Sequence, residues 1–193
     1  MMLDLVIRDA RLEDDGPLRD IGVKDGRIAA ITPRLQTEAR AVDAKGGLVI
    51  AGFADSHLHL DKACLLDRAR NPAGTLSGAI QAVSTAKRDF TVEDVYARGA
   101  RVLEKAIGAG TTLIRTQVEI DPGIGLAGFE AVSQLKKDYA WGVDLQICVF
   151  PQEGMLNYPG TEDLLRQALN AGADLLGGCP YTCLLYTSDA ADE

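Results

Sequence analysis

Hydrophobic and polar positions alternate through the first fifty residues. Leu3, Leu5 and Ile7 are interleaved with Asp4, Val6 and Arg8, a partly kept period of two that suits a half-buried strand. Ile21-Gly22-Val23-Lys24 and Arg27-Ile28-Ala29-Ala30-Ile31 flank Asp25-Gly26, a dipeptide that marks a two-residue hairpin. The turn-rich run Val42-Asp43-Ala44-Lys45-Gly46-Gly47 then leads into Gly47-Leu48-Val49-Ile50-Ala51, an apolar stretch that reads as a buried strand. Residues 3–50 are therefore predicted to be all β.

From about residue 48 the pattern changes to strands alternating with helices. Ser77 to Phe90 reads as a helix. Thr91 is the expected N-cap of the next, with Glu93 and Asp94 in its first turn, where the helix dipole favours acids. Val92, Val95, Ala100, Val102, Leu103 and Ala106 give that helix an apolar stripe, and Gly108 and Gly110 end it. Thr111–Thr116 is a strand, Leu126–Tyr139 a helix and Asp144–Phe150 a strand. Thr161 is expected to cap a helix over Glu162–Asn170, closed by Gly172, before a last strand at Ala173–Gly178.

This alternation predicts parallel βαβ units, in a doubly wound sheet or in part of a (β/α)8 barrel. No Gly-x-Gly-x-x-Gly follows a strand, which weakens a dinucleotide-binding sheet. Polar residues collect after the strands: His57 and His59, Gln117 and Glu119, Gln152 and Glu153, then Tyr181. Barrel enzymes build their sites from these carboxyl-end positions, and a whole barrel takes about 250 residues. The expectation is an α/β fold with about half of a barrel present.

Charge narrows the partners. The net charge is −8 and Lys and Arg are not clustered, which argues against nucleic acid. No apolar run approaches the ~20 residues of a membrane span, and Met1-Met2-Leu3-Asp4 lacks the character of a signal peptide. A cytoplasmic protein acting on a small molecule is expected, with no membrane partner. The four cysteines form no Cys-x-x-Cys pair and are read as reduced.

His57 and His59 are the only histidines. Alternate residues of a strand share a face, so the two imidazoles are expected side by side at the strand's carboxyl end. That arrangement offers two ligands to one metal, which wants about three or four from the protein. Metal-assisted hydrolysis is the natural chemistry, because a bound metal lowers the pKa of water from 15.7 towards ~7. Asp61 would either orient a histidine ligand or cap a loop.

These residues resemble the amidohydrolase superfamily: a β-rich segment leads into Gly52-Phe53-Ala54-Asp55-Ser56-His57-Leu58-His59-Leu60-Asp61-Lys62-Ala63. Within it the chain is similar to the cytosine deaminase branch, through Gly74-Thr75-Leu76, Arg115-Thr116, Asp144-Leu145-Gln146-Ile147 and Phe150-Pro151-Gln152-Glu153-Gly154. The resemblance implies a metal-dependent (β/α)8 barrel preceded by a small β-sandwich. It implies one divalent metal ion, zinc or iron, with His57 and His59 as the first two ligands. It makes Gln152 the hydrogen-bonding partner of a pyrimidine's amide edge and Leu76 a wall of the ring pocket. The implied reaction is hydrolytic release of ammonia from cytosine or a related cyclic amidine, by a homo-oligomer. The family's third metal histidine, acid–base glutamate and metal-binding aspartate come from later strands, so no catalytic residue is assigned within this chain. Gln117 stands where relatives often carry histidine, and Lys62 at a position that varies among branches. Isocytosine, a triazine or another cyclic amide are therefore alternative substrates, and a non-catalytic half-barrel is the alternative from another class.

The final run Cys183-Leu184-Leu185-Tyr186-Thr187-Ser188-Asp189-Ala190-Ala191-Asp192-Glu193 resembles a translated transposon-end sequencing adapter. The expected organisation is thus 1–50 as part of a composite β-sandwich, 51–182 as the first half of the barrel, and 183–193 as a non-native tail. A chain so composed is expected to be inactive and poorly soluble alone, since an open half-barrel exposes a strand edge.

Overall fold

The computed structural model describes residues 2–179, so Tyr181 and the adapter-like run from Cys183 lie outside the described residues. The chain divides into two compact units at Ala51/Gly52.

The first unit is a four-stranded sheet built from β1 (Leu5–Ala10), β2 (Arg19–Lys24), β3 (Arg27–Thr32) and β4 (Arg40–Asp43), in the order β3-β2-β1-β4. It forms a single four-stranded layer. β2 and β3 are an antiparallel hairpin that pairs Lys24 with Arg27. Asp25 and Gly26 both have positive φ, 51° and 70°, as a type I′ turn requires. β4 joins β1 in parallel. Val6 and Ala10 of β1 and Ile21 of β2 are buried.

The apolar run Leu48–Ala51 is not the buried strand expected of it. Leu48 makes one isolated bridge to Arg11, and Leu48 and Ile50 are 55% and 60% exposed. The strand that carries the histidines starts at Phe53 instead. Gly52 stays small at this junction because a Cβ there would lie 2.3 Å from the Thr112 side chain.

The second unit is a parallel sheet of β5 (Phe53–Leu58), β6 (Thr111–Glu119), β7 (Asp144–Phe150) and β8 (Leu175–Leu176), paired in sequence order. Its helices are α1 (Leu76–Ala86), α2 (Val92–Gly108), α3 (Ala127–Asp138) and α4 (Thr161–Asn170). The predicted helix over Ser77–Phe90 is broken: α1 ends at Ala86, and Lys87–Asp89 form a 3₁₀ turn. β8 is also shorter than the six residues predicted for it.

Caps follow local chemistry. The Thr91 hydroxyl accepts the Asp94 N–H at 3.2 Å, as expected for α2. Thr161 is not a cap: Gly160, at φ 96°, holds that position, and the Thr161 hydroxyl donates to the Tyr158 carbonyl at 2.8 Å. The core joins Leu60, Leu103, Ile114, Val118, Phe129, Leu135, Ile147 and Leu165 from strands and helices alike. Gly99 lets α2 approach α3, since a Cβ there would meet Leu135 Cδ1 at 2.5 Å. No helix among the described residues is long and apolar enough to cross a membrane.

Candidate active site

β5 ends in His57-Leu58, and the chain continues through His59 into buried Leu60 and Asp61. The two imidazole centroids lie 5.3 Å apart with their planes at 65°, so the pair is adjacent as the strand period predicts. The His57 N–H donates to Asp55 Oδ1 at 3.0 Å, fixing the backbone just before the pair. His59 is one-third exposed and packs 5.6 Å from the Phe150 ring. Burial, then the nearby Lys62 and His57, push its pKa down to about 4, against an opposing contribution from the Gln117 backbone. It is a neutral imidazole at neutral pH, the form that binds metal.

His59, Leu76 and Gln152 meet at one cavity of about 340 Å³, which suits a single small ring. Lys62, Glu119 and Ser84 complete its polar side, and Ala79, Ile80 and Val83 of α1 form an apolar wall. Three sites predicted from separate stretches of sequence therefore converge. His57 stands beside His59 rather than in the cavity wall.

Lys62 and Glu119 in the cavity wall belong to a compact ionic cluster. Lys62 Nζ is 2.6 Å from Glu119 Oε2, donates to Gln152 Oε1 at 3.2 Å, and sits 5.2 Å from the Phe150 centroid. Glu119 Oε1 accepts from Lys87 Nζ at 2.5 Å. Lys87 also donates to Asp121 Oδ2 at 2.7 Å and to Glu153 Oε1 at 3.0 Å, and Ser84 donates to that same Glu153 oxygen. Burial alone would lower the Lys87 pKa, but its hydrogen bonds to Asp121 and Glu119 hold it well above the ordinary lysine value. Lys87 is thus a fixed positive charge among three carboxylates.

Asp61 does not hold a histidine. Its Oδ1 is 4.0 Å from His59 Nδ1, beyond hydrogen-bond reach, while its Oδ2 accepts the Glu119 N–H at 2.9 Å. Burial pushes its carboxyl up to about 6. Asp61 therefore ties the end of β6 to the loop after β5. Arg98 completes this tie by donating to the Asp61 and Ala63 carbonyls at 2.9 and 2.7 Å.

The histidine pair has the donors of a partial metal site. His59 Nδ1 is buried and has no hydrogen-bond partner among the described residues, and both rings are suitable ligands. No cluster of three or more His, Cys, Asp or Glu ligands occurs among the described residues. The two rings fit a divalent metal as part of its coordination shell.

Comparison with known proteins supports this architecture. Residues 40–134 match the Amidohydrolase family. The fold of the 5-methylcytosine deaminase from Klebsiella pneumoniae, solved with 5-fluorocytosine, superposes with a TM-score of 0.84 at 34% identity, over 95% of this chain and 45% of that one. The chain belongs to the amidohydrolase family. It is 32% identical over 181 residues to the N-isopropylammelide isopropyl amidohydrolase of Pseudomonas sp. strain ADP, covering 91% of this chain and 45% of that protein. It is 34% identical over 163 residues to the pterin deaminase of Rhizobium rhizogenes, covering 82% of this chain and 37% of that protein. This amidohydrolase chain spans less than half the length of those relatives, and is the N-terminal part of an α/β barrel of that class.

The cavity and the cluster beside it hold residues that the sequence pattern does not single out. Lys87 fell inside a predicted helix, although a lysine at the end of an apolar face is itself a signal of a buried partner. Glu119 was recognised as a carboxyl-end residue, but its pairing with two lysines is a product of the fold. Ser84 carried no pattern at all.

Proposed function

We propose that the whole enzyme containing this chain is a metal-dependent hydrolase that removes ammonia from cytosine or a related cyclic amidine. The observation that carries this reading is the convergence of His59, Leu76 and Gln152 on one ring-sized cavity, with His57 adjacent. Relatives whose names denote deamination of pterin and 5-methylcytosine support it.

His57 and His59 are the proposed metal ligands, completed by residues from elsewhere in the enzyme. A bound zinc or iron ion supplies Lewis-acid activation of water at neutral pH. Gln152 hydrogen-bonds the ring's amide edge, since a primary amide both donates and accepts. Leu76 packs against the ring, and Ala79, Ile80 and Val83 keep water from the apolar side. Burial, helped by the nearby Lys62 charge, keeps His59 unprotonated and available. Residues 1–50 belong to a composite β-sandwich and 51–182 to the barrel in this reading, with the enzyme acting in the cytoplasm as a homo-oligomer. The 193-residue chain, with two histidines in all, is inactive by itself.

The test is to purify the protein read from the contiguous gene and supply cytosine, isocytosine and ammelide separately. Ammonia release from cytosine, abolished with loss of bound metal in H57A and H59A, is the expected result. Release only from ammelide would replace the pyrimidine by a triazine, and no release from any ring would overturn deamination.

A further inference from the structure

We propose that Arg115 is one half of a buried ion pair that closes the barrel, and that its partner is a carboxylate pointing inward from a later strand of the whole enzyme. This concerns how the barrel is held together and does not depend on which ring the enzyme acts on.

Arg115 lies in β6 directly opposite Gln146 of β7. Its chain neighbours Ile114 and Thr116 are fully buried, and Ile114 shares a core with Leu103 of α2 and with Phe129 and Leu135 of α3. Side chains alternate along a strand, so Arg115 stands on the face turned away from these helices, in line with Gln117 and Glu119. In a closed (β/α)8 barrel that face is the interior, filled by side chains from alternate strands. This chain spans less than half the length of its relatives. Arg115 is exposed in it, and becomes buried once further strands close over the face.

Such burial needs a counter-charge. A guanidinium is not deprotonated in proteins, so it cannot become neutral. A buried ion without a partner is strongly destabilising. Gln146 supplies an oxygen but no charge: its Oε1 accepts from Arg115 Nε at 3.1 Å and from Nη2 at 3.0 Å. Those two bonds aim the guanidinium by one edge and leave donors on Nη1 and Nη2. No carboxylate among the described residues makes an ion pair with Arg115. The remaining donors form a planar fork, the shape that takes a carboxylate through two parallel hydrogen bonds.

The depth of the partner is set as well. Glu119 lines the cavity, and Arg115 comes four residues earlier on the same strand, ~13 Å deeper at the rise of a parallel strand. Barrel enzymes place their ligands and reacting groups at the carboxyl ends of the strands. The carboxylate that meets Arg115 therefore lies below that layer and is separate from the metal shell.

The test is a set of double-mutant cycles in the whole enzyme. Each inward-facing acid of the later strands at that depth is replaced by its amide, alone and together with Arg115→Met, and the urea midpoints are compared. Arg115→Met should lower the midpoint, and so should one of the acid variants. Combining those two should lose less than the sum of their separate losses, as contacting residues do. Where Arg115→Met alone does not fold, the same acid variant should restore folding in the double. A midpoint unchanged by Arg115→Met, additive losses with every acid, or an unfolded Arg115→Met that no acid variant rescues overturns the proposal. The readout is stability, so these outcomes leave the deamination reading standing, and an enzyme inactive on every ring leaves the ion pair standing.

Discussion

Asp20 is a carboxylate buried in the small sheet, and its neighbours decide what it contributes. It accepts from Arg8, from the Leu35 N–H at 2.9 Å and from the Asp9 N–H at 3.3 Å. Burial raises its pKa, but the Leu35 N–H and Arg8 outweigh this and hold it below the usual value of 3.8. A carboxyl whose folded pKa is lowered contributes stability that is present above its unfolded value and lost as pH falls through the folded one. Asp20→Asn leaves the Arg8 guanidinium half-buried without its counter-ion. It should destabilise the first unit by about 3 kcal/mol at neutral pH, as removal of one partner of a buried pair does. Urea unfolding of both proteins should show this gap narrowing as pH drops below 3.8. A gap that stays constant into acid would mean that the charge is not what Asp20 supplies.

At the scale of elements, caps and turns were legible because their determinants are local. Asp25-Gly26 specified its own turn, and Thr91 capped α2 with its own hydroxyl. Thr91→Ala should cost about 1 kcal/mol, the usual value of an N-cap. The checking measurement is thermal or urea denaturation beside Thr91→Ser, which keeps the capping hydroxyl. Equal losses would deny that the hydroxyl is what Thr91 supplies. The misread elements failed for non-local reasons. Leu48–Ala51 has a strand's composition, yet β5 begins at Phe53, where its ladder with Thr111 starts. The break after Ala86 was invisible because Lys87 turns towards Glu119, Asp121 and Glu153, which are over thirty positions away. The site shows the same division. The adjacency of His57 and His59 follows from the strand period, whereas the chain of lysines and carboxylates beside them exists only once β6 and β7 are side by side.

Over the whole molecule, the parallel sheet is unevenly covered. Parallel strands are normally buried on both faces, and β7 is largely buried, but every residue of β5 is exposed or half-exposed. Phe53 and Leu176, on the two outer strands, are 56% and 59% exposed. Such surfaces, and sheet edges unpaired among the described residues, drive association. The 193-residue chain should therefore self-associate with rising concentration in sedimentation experiments, and a monomer with a sharp, cooperative melt would contradict this. Lys87 gives the molecule a different kind of exposure. Buried ionic clusters can often be exchanged for apolar side chains of similar volume with a gain in stability, so an engineer seeking a hardier protein would begin at Lys87, Glu119, Asp121 and Glu153. In this fold those are also the residues that hold Lys62 against Gln152. A better-packed replacement would melt later and release Lys62 from the cavity wall beside Gln152, so the stability of this part of the core and the charge it presents to the cavity are set against each other.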